Sequence, residues 1–266
     1  MPQNLTQIIL LTAGLIGCNQ KPEAMEECEL LFGTPSANTG LGDDACTGSC
    51  ECGEDPWTPP NYQESDIERL EALKLLSPPS LLEEDPYLQP ERVTASEGFC
   101  ATSVDSEANA YDLNTFNTEE EALAAGATIT HKGACGQCSS LKNLAVYLRN
   151  PDLTDPVRDC GIKGMLEGAE ANIECLIDIG FDEACAEIWF FNTKHTREVC
   201  LDVCMSALDA PHHEPDGSLN ACIQCDEDES GPVFKAVAGR TRRNSGLPSG
   251  LCRPCDSVYR VSHLDY

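Results

Sequence analysis

The sequence predicts a mainly α, disulfide-rich fold: a stapled helical domain with a loop-rich C-terminal segment and little β structure. Three observations carry this expectation. Apolar residues recur at helical spacing through most of residues 135–210, and capping signals stand at the expected ends. Only the short run ATITH, ending at His131, reads as a strand. Seventeen cysteines in 266 residues are typical of exported, disulfide-bonded chains rather than cytosolic ones.

The first 17 residues predict a secretory signal. An apolar run from Ile8 to Ile16 is too short to cross a bilayer and fits the hydrophobic region of a signal peptide. Residues 18–62 are rich in Glu, Asp, Pro, Gly and Thr and predict an acidic tether. Its Cys28, Cys46, Cys50 and Cys52 can pair among themselves.

Residues 63–266 predict the folded domain. In SDIERLEALKLLS, Ser65 and Glu68 form a capping box ahead of Ile67, Leu70 and Leu73, and Pro78-Pro79 ends the pattern. Thr118 and Glu121 form a second box, and that helix closes at Gly126. In the helical block 135–210, Leu141, Leu144, Ala145 and Leu148 share a face that ends at Pro151. Leu166, Ala169, Ile173, Leu176 and Ile177 mark one helix ending before Gly180. Asp182 then caps a helix of about six turns that puts Cys200 and Cys204 on one side. The segment 211–266 is loop-rich, with one helix expected from Pro232 to about Arg243, capped by Ser230.

The formal net charge of −28 sets 17 Lys and Arg against 45 Asp and Glu. Nucleic acid and anionic lipid surfaces would be repelled by it, so neither is expected as a partner.

Two resemblances add to this. Leu15-Ile16-Gly17-Cys18 resembles the lipobox of bacterial lipoproteins, which implies cleavage before Cys18, lipidation of that cysteine and anchoring to a membrane. Asn19 at the next position implies passage to the outer membrane of the cell envelope. Removing Cys18 from the 17 cysteines leaves an even number that can all pair. The order CxxC, Cys175, Cys185, CxxC is loosely similar to saposin-like helical domains. There the outer cysteines clasp the termini and the central two close a helix hairpin.

Several constellations could carry chemistry. Cys135 and Cys138, in CGQC, stand at a strand-to-helix junction as in thioredoxin-like proteins. The proline and strands that such a fold needs downstream are missing, so a structural staple is the stronger reading. Cys222, Cys225, Cys252 and Cys255 could form a zinc site of two CxxC pairs, in competition with disulfides. Asp226, Asp228 and Ser230 copy the start of a calcium loop, but its twelfth position is Val237 rather than Glu. No cofactor is otherwise expected. Arg240, Arg242, Arg243, Asn244, Ser245 and Arg253 concentrate cations in a chain short of them, and predict a site for a small anionic ligand. His195 and His263 are candidate general acids or bases, and His212-His213 a candidate metal pair. The leading expectation is a lipid-anchored protein that binds an anion through these arginines. An envelope enzyme on the same arginines, a purely structural or partner-binding lipoprotein and, less so, a CxxC oxidoreductase are the alternatives.

Overall fold

The computed structural model describes residues 30–51, 56–94 and 97–266. The signal peptide, Cys18, Cys28 and Cys52 lie outside the described residues. The elements in chain order are β1 (Leu31–Phe32), β2 (Cys46–Thr47), α1 (Glu64–Ala72), β3 (Lys74–Leu75), β4 (Phe99–Asp105) and β5 (Ala110–Phe116). They continue with α2 (Glu119–Ala124), β6 (Thr128–Lys132), α3 (Leu141–Arg149), α4 (Thr154–Glu167) and α5 (Ala169–Ile179). The last are α6 (Glu183–Ser206), α7 (Ala221–Cys225), α8 (Gly231–Ala238) and β7 (Arg253–Pro254).

Helices dominate, as expected, but the β content is larger than the sequence suggested. A four-stranded sheet runs β3-β5-β4-β6, and a small sheet runs β2-β1-β7. The expected strand ATITH is β6. The hairpin β4–β5, paired from Phe99↔Phe116 to Asp105↔Ala110, was not anticipated. Its turn is made locally: Asp105 Oδ1 accepts from the amides of Glu107 and Ala108, and Asn109 adopts φ 48°. Tyr111 and the partly buried Val104 and Leu113 face the main core, whereas Ala101 packs with Ala122 and Ile129 on the other side.

The main core gathers around α3, whose Leu141, Leu144 and Ala145 are fully buried. Two helix caps interlock there. Ser140 caps α3 by accepting from the Asn143 amide, and Asp182 caps α6 by accepting from the Cys185 amide. Asp182 Oδ2 also accepts from Ser140 Oγ and Asn143 Nδ2. The caps at Thr118 and Asp182 are those read from sequence; at α1 the capping pair is Gln63 with Asp66 rather than Ser65 with Glu68. The single helix expected around 166–177 is two: Gly168, at φ 105°, breaks it into the hairpin α4–α5. The C-terminal helix is shorter than expected. Gly239 ends α8 at φ 73°, and a π-helical turn, Asp226–Ser230, joins α7 to α8.

Seven disulfides fix these elements, and all cysteines among the described residues take part. Cys160–Cys175 clasps the α4–α5 hairpin. Cys200 and Cys204, one turn apart on α6, bond Cys225 and Cys222 on α7 as two rungs. The saposin-like pairing is not formed: Cys175 bonds Cys160, and Cys185 bonds Cys138. Nor is the 18–62 region a self-contained tether over its described part. Cys46 bonds Cys252 and Cys50 bonds Cys255, sealing β1 and β2 against β7.

CGQC is likewise structural, with its two cysteines bonded elsewhere: Cys135 to Cys100 and Cys138 to Cys185. Its middle residues dock on the end of α8, where the amides of Gln137 and Cys138 donate to Val237 O and Ala238 O. A Cβ on Gly136 would sit 2.4 Å from Val237 O, so only glycine allows this approach.

Candidate functional site: an apolar cavity with a cationic wall

A cavity of about 510 Å³ lies among α4, α6, α7, α8 and the C-terminal segment. Its wall is mostly apolar, with Val157, Ile162 and Met165 from α4, Trp189, Leu201 and Met205 from α6, and Phe234 from α8. Ile162, Met165, Leu201 and Met205 are exposed large apolar residues. This volume is in the range of small-molecule sites, about 300–1,000 Å³.

The polar wall comes from the π-helical turn and its neighbours. Glu227 receives three cations: Lys235 Nζ at 2.8 Å, Arg253 Nη2 at 2.6 Å and Arg243 Nη2 at 3.4 Å. Burial pushes the Glu227 carboxyl up, but Arg253 and Lys235 outweigh it and hold the group below its ordinary value. Three cations against Glu227 leave an excess of positive charge, offset in part by the neighbouring Asp226, in a strongly acidic molecule. A smaller recess of about 320 Å³ shares Lys235, Thr241, Arg243 and Val258 with the cavity and adds Lys132.

Beside Glu227, Asp226 Oδ1 accepts from Asn192 Nδ2 at 3.1 Å and from Thr196 Oγ1. Burial pushes this carboxyl above the ordinary range, against those two hydrogen bonds. Behind it, Tyr87 donates to Asn192 Oδ1 at 2.8 Å and stacks on the His195 ring at 4.4 Å.

The structure divides the residues predicted for anion binding. Arg243 and Arg253 reach the cavity wall. Arg240 does not: it is fully buried and donates to Thr130 O, Thr130 Oγ1, Ser139 O and Ser245 Oγ. Arg242 lines the cavity, but its guanidinium donates to Tyr147 O, Asn150 O and Pro248 O around the end of α3. Burial lowers its pKa to about 10. Asn244 lines the smaller recess while bonding backbone, through Thr241 N, Gly239 O and Lys132 O. Ser245 is buried, and its carbonyl accepts from His263. The arginine loop is thus mainly a structural plug, with the cationic wall at one side. Lys235 was missed because it sits in a helix distant in sequence from Arg253.

The acid/base candidates fare similarly. His263 is fully buried between Ser245 O and Tyr266 Oη, and burial lowers its pKa to about 3. His195 bonds Ser230 Oγ at 2.9 Å through Nδ1, but Ser230 is itself fully buried. The nearby Asp226 carboxyl meets the hydroxyl of Thr196 rather than the imidazole. This is a buried network, not a nucleophile–histidine–acid relay.

The metal candidates are occupied by other bonds. Cys222, Cys225, Cys252 and Cys255 are all in disulfides, which removes the thiolates a zinc site needs. Asp226, Asp228 and Ser230 lie in a helical turn and bond Thr196, Gln224 and His195, so they form no calcium loop. His212 pairs with Asp152 at 2.9 Å, and His213 accepts from the Cys252 amide. Among the described residues, no group of three or more His, Cys, Asp or Glu could hold a metal ion.

A model of a family of unknown function, DUF8771, matches residues 169–261, which hold α5 to β7 and much of the cavity wall. No curated protein and no solved structure matches the chain.

Proposed function

We propose that the protein is an exported binding protein for an amphipathic anion. The ligand's apolar body occupies the cavity between α4, α6 and α8, and its anionic head lies against Lys235, Arg243 and Arg253. The observation that carries this reading is the convergence of three cations on one carboxylate at the wall of an otherwise apolar cavity. In a chain of net charge −28, such a local excess is the natural place for a carboxylate, phosphate or sulfate. Arg253 and Arg243 carry this part of the role; Arg240, Arg242, Asn244 and Ser245 hold the loop in place.

Export and anchoring rest on the sequence around Cys18, and the seven described disulfides fit an oxidising compartment. We place the protein on the cell envelope, held by a lipid on Cys18 and reaching the outer membrane. Among the described residues no helix is long and apolar enough to cross a membrane.

Titration calorimetry with dodecanoate and with dodecyltrimethylammonium, equal in alkyl length, tests the binding reading. Dodecanoate is expected to bind saturably and the cation to bind at least tenfold more weakly. Arg253→Gln should weaken dodecanoate about tenfold, and Leu201→Trp should block it by filling the mouth. Equal affinity for both probes, or no binding of either, would overturn the reading.

A further inference from the structure

In the cavity wall, Asp226 has an oxygen that the described residues leave open. Asp226 lines the cavity, and both of its protein hydrogen bonds, from Asn192 Nδ2 and Thr196 Oγ1, fall on Oδ1. Oδ2 takes no hydrogen bond from the described residues. A carboxylate oxygen has room for about two donors, so Oδ2 is free to accept from a ligand that enters the cavity.

The side chain is also held in place. Thr196 and Asn192 sit one turn apart on α6, and Asn192 is fixed in turn by Tyr87 Oη at 2.8 Å. Thr196 Oγ1 lies 2.8 Å from Ser230 Oγ, which meets His195. Asp226 itself stands in the π-helical turn, a local widening that often marks functional positions. The shell therefore fixes Oδ1 and leaves Oδ2 as a preorganised contact.

We propose that Asp226 is a specificity-determining residue of the cavity, whose Oδ2 accepts a hydrogen bond from a hydroxyl group on the ligand. The inference rests on the binding reading above and narrows its ligand class to hydroxylated amphipathic anions. An ammonium donor is disfavoured at this position because Lys235, Arg243 and Arg253 surround the adjacent Glu227. An uncharged hydroxyl meets Asp226 without that repulsion. It also discriminates, because a bound ligand that covers Oδ2 without a hydroxyl strips it of water and leaves the acceptor unpaired.

The test compares dodecanoate with analogues carrying one hydroxyl at successive carbons, by calorimetry on the full chain. One hydroxylated analogue should bind about tenfold tighter than dodecanoate. In Asp226→Ala that advantage should vanish, with the hydroxylated analogue and plain dodecanoate then binding within about threefold of each other. Asp226→Asn guards against a folding defect. Its amide oxygen can still accept from Thr196 and Asn192, and its Nδ2 then faces the cavity as a donor. Preference should therefore move from the hydroxyl analogue to the oxo analogue of the same chain. If no hydroxyl position gains affinity, or the gain survives in Asp226→Ala, the proposal is overturned. Dodecan-1-ol separates the two claims. Binding of the alcohol that depends on Asp226, without binding of dodecanoate, would remove the anionic head and keep Asp226 as the hydroxyl contact. Failure of every probe would remove both.

Discussion

Arg240 and the two histidines beside it form the polar centre of the molecule. Arg240 is buried without a carboxylate partner; three carbonyl or hydroxyl groups from β6 and the start of α3 accept from it, and Ser245 Oγ accepts a fourth bond. Burial and the Arg240 charge lower the pKa values of His131 and His263, so both rings are neutral in the folded state. Their stabilisation is complete above the unfolded imidazole value of about 6.5. It is lost as the pH falls from there toward about 3, the folded value for His263. Urea unfolding should therefore show a loss of about 2 kcal/mol from His263 between pH 6.5 and pH 5, with His131 and the buried His213 adding in the same direction. In His263→Gln, that residue's share of the pH dependence should disappear. An unchanged slope would mean that another group governs acid stability. At this scale the sequence grouped Arg240, Arg242 and Arg243, three arginines in four residues, into one candidate anion site. Burial and backbone contact, which depend on tertiary packing, decided their separate roles.

At the scale of elements, local chemistry was readable and long-range pairing was not. Thr118, Asp182, Gly126 and Gly180 marked helix ends because capping depends on nearby backbone. The hairpin β4–β5 stayed hidden because Cys100, Ala101 and Thr102 are all buried, so β4 shows no clear alternation. The cavity was hidden for a different reason. Ile162 and Met165 stand on α4 and Leu201 and Met205 on α6, and sequence alone does not bring those two helices together. The linked caps at Ser140 and Asp182 allow a direct check. Asp182→Ala removes the α6 cap and leaves Ser140 Oγ and Asn143 Nδ2 without their acceptor. It should cost about 2–3 kcal/mol in urea unfolding, more than the roughly 1 kcal/mol typical of an isolated cap. Ser140→Ala on the Asp182→Ala background should then cost less than it does alone.

Across the described residues, seven disulfides supplement a core with few aromatics, and four of them form two adjacent pairs. Cys46–Cys252 and Cys50–Cys255 span 206 and 205 residues and lie side by side. Once either is closed, the other closes only a small ring, so their effects cannot be independent. Chain-entropy reasoning gives about 2–3 kcal/mol for removing either pair alone by Cys→Ser substitution. Removing both should exceed the sum of the two single losses by about 2 kcal/mol. Equilibrium unfolding of the three variants measures this. Strict additivity would show that the two bonds act through native-state geometry rather than through the unfolded chain. The cysteine count made a stapled fold legible, but connectivity was not, because spacing cannot reveal which distant segments meet.

The same two bonds impose a timetable on the chain's biogenesis. When a polypeptide emerges from its N-terminal end, Cys46 and Cys50 arrive first among the described cysteines and have only wrong partners within reach, including each other. Their native partners, Cys252 and Cys255, arrive after every other described cysteine. The bonds that join the first described strands to the last can thus form only after all the other described cysteines have emerged. Maturation depends on early thiols staying reduced, or on an isomerase that undoes their premature pairing.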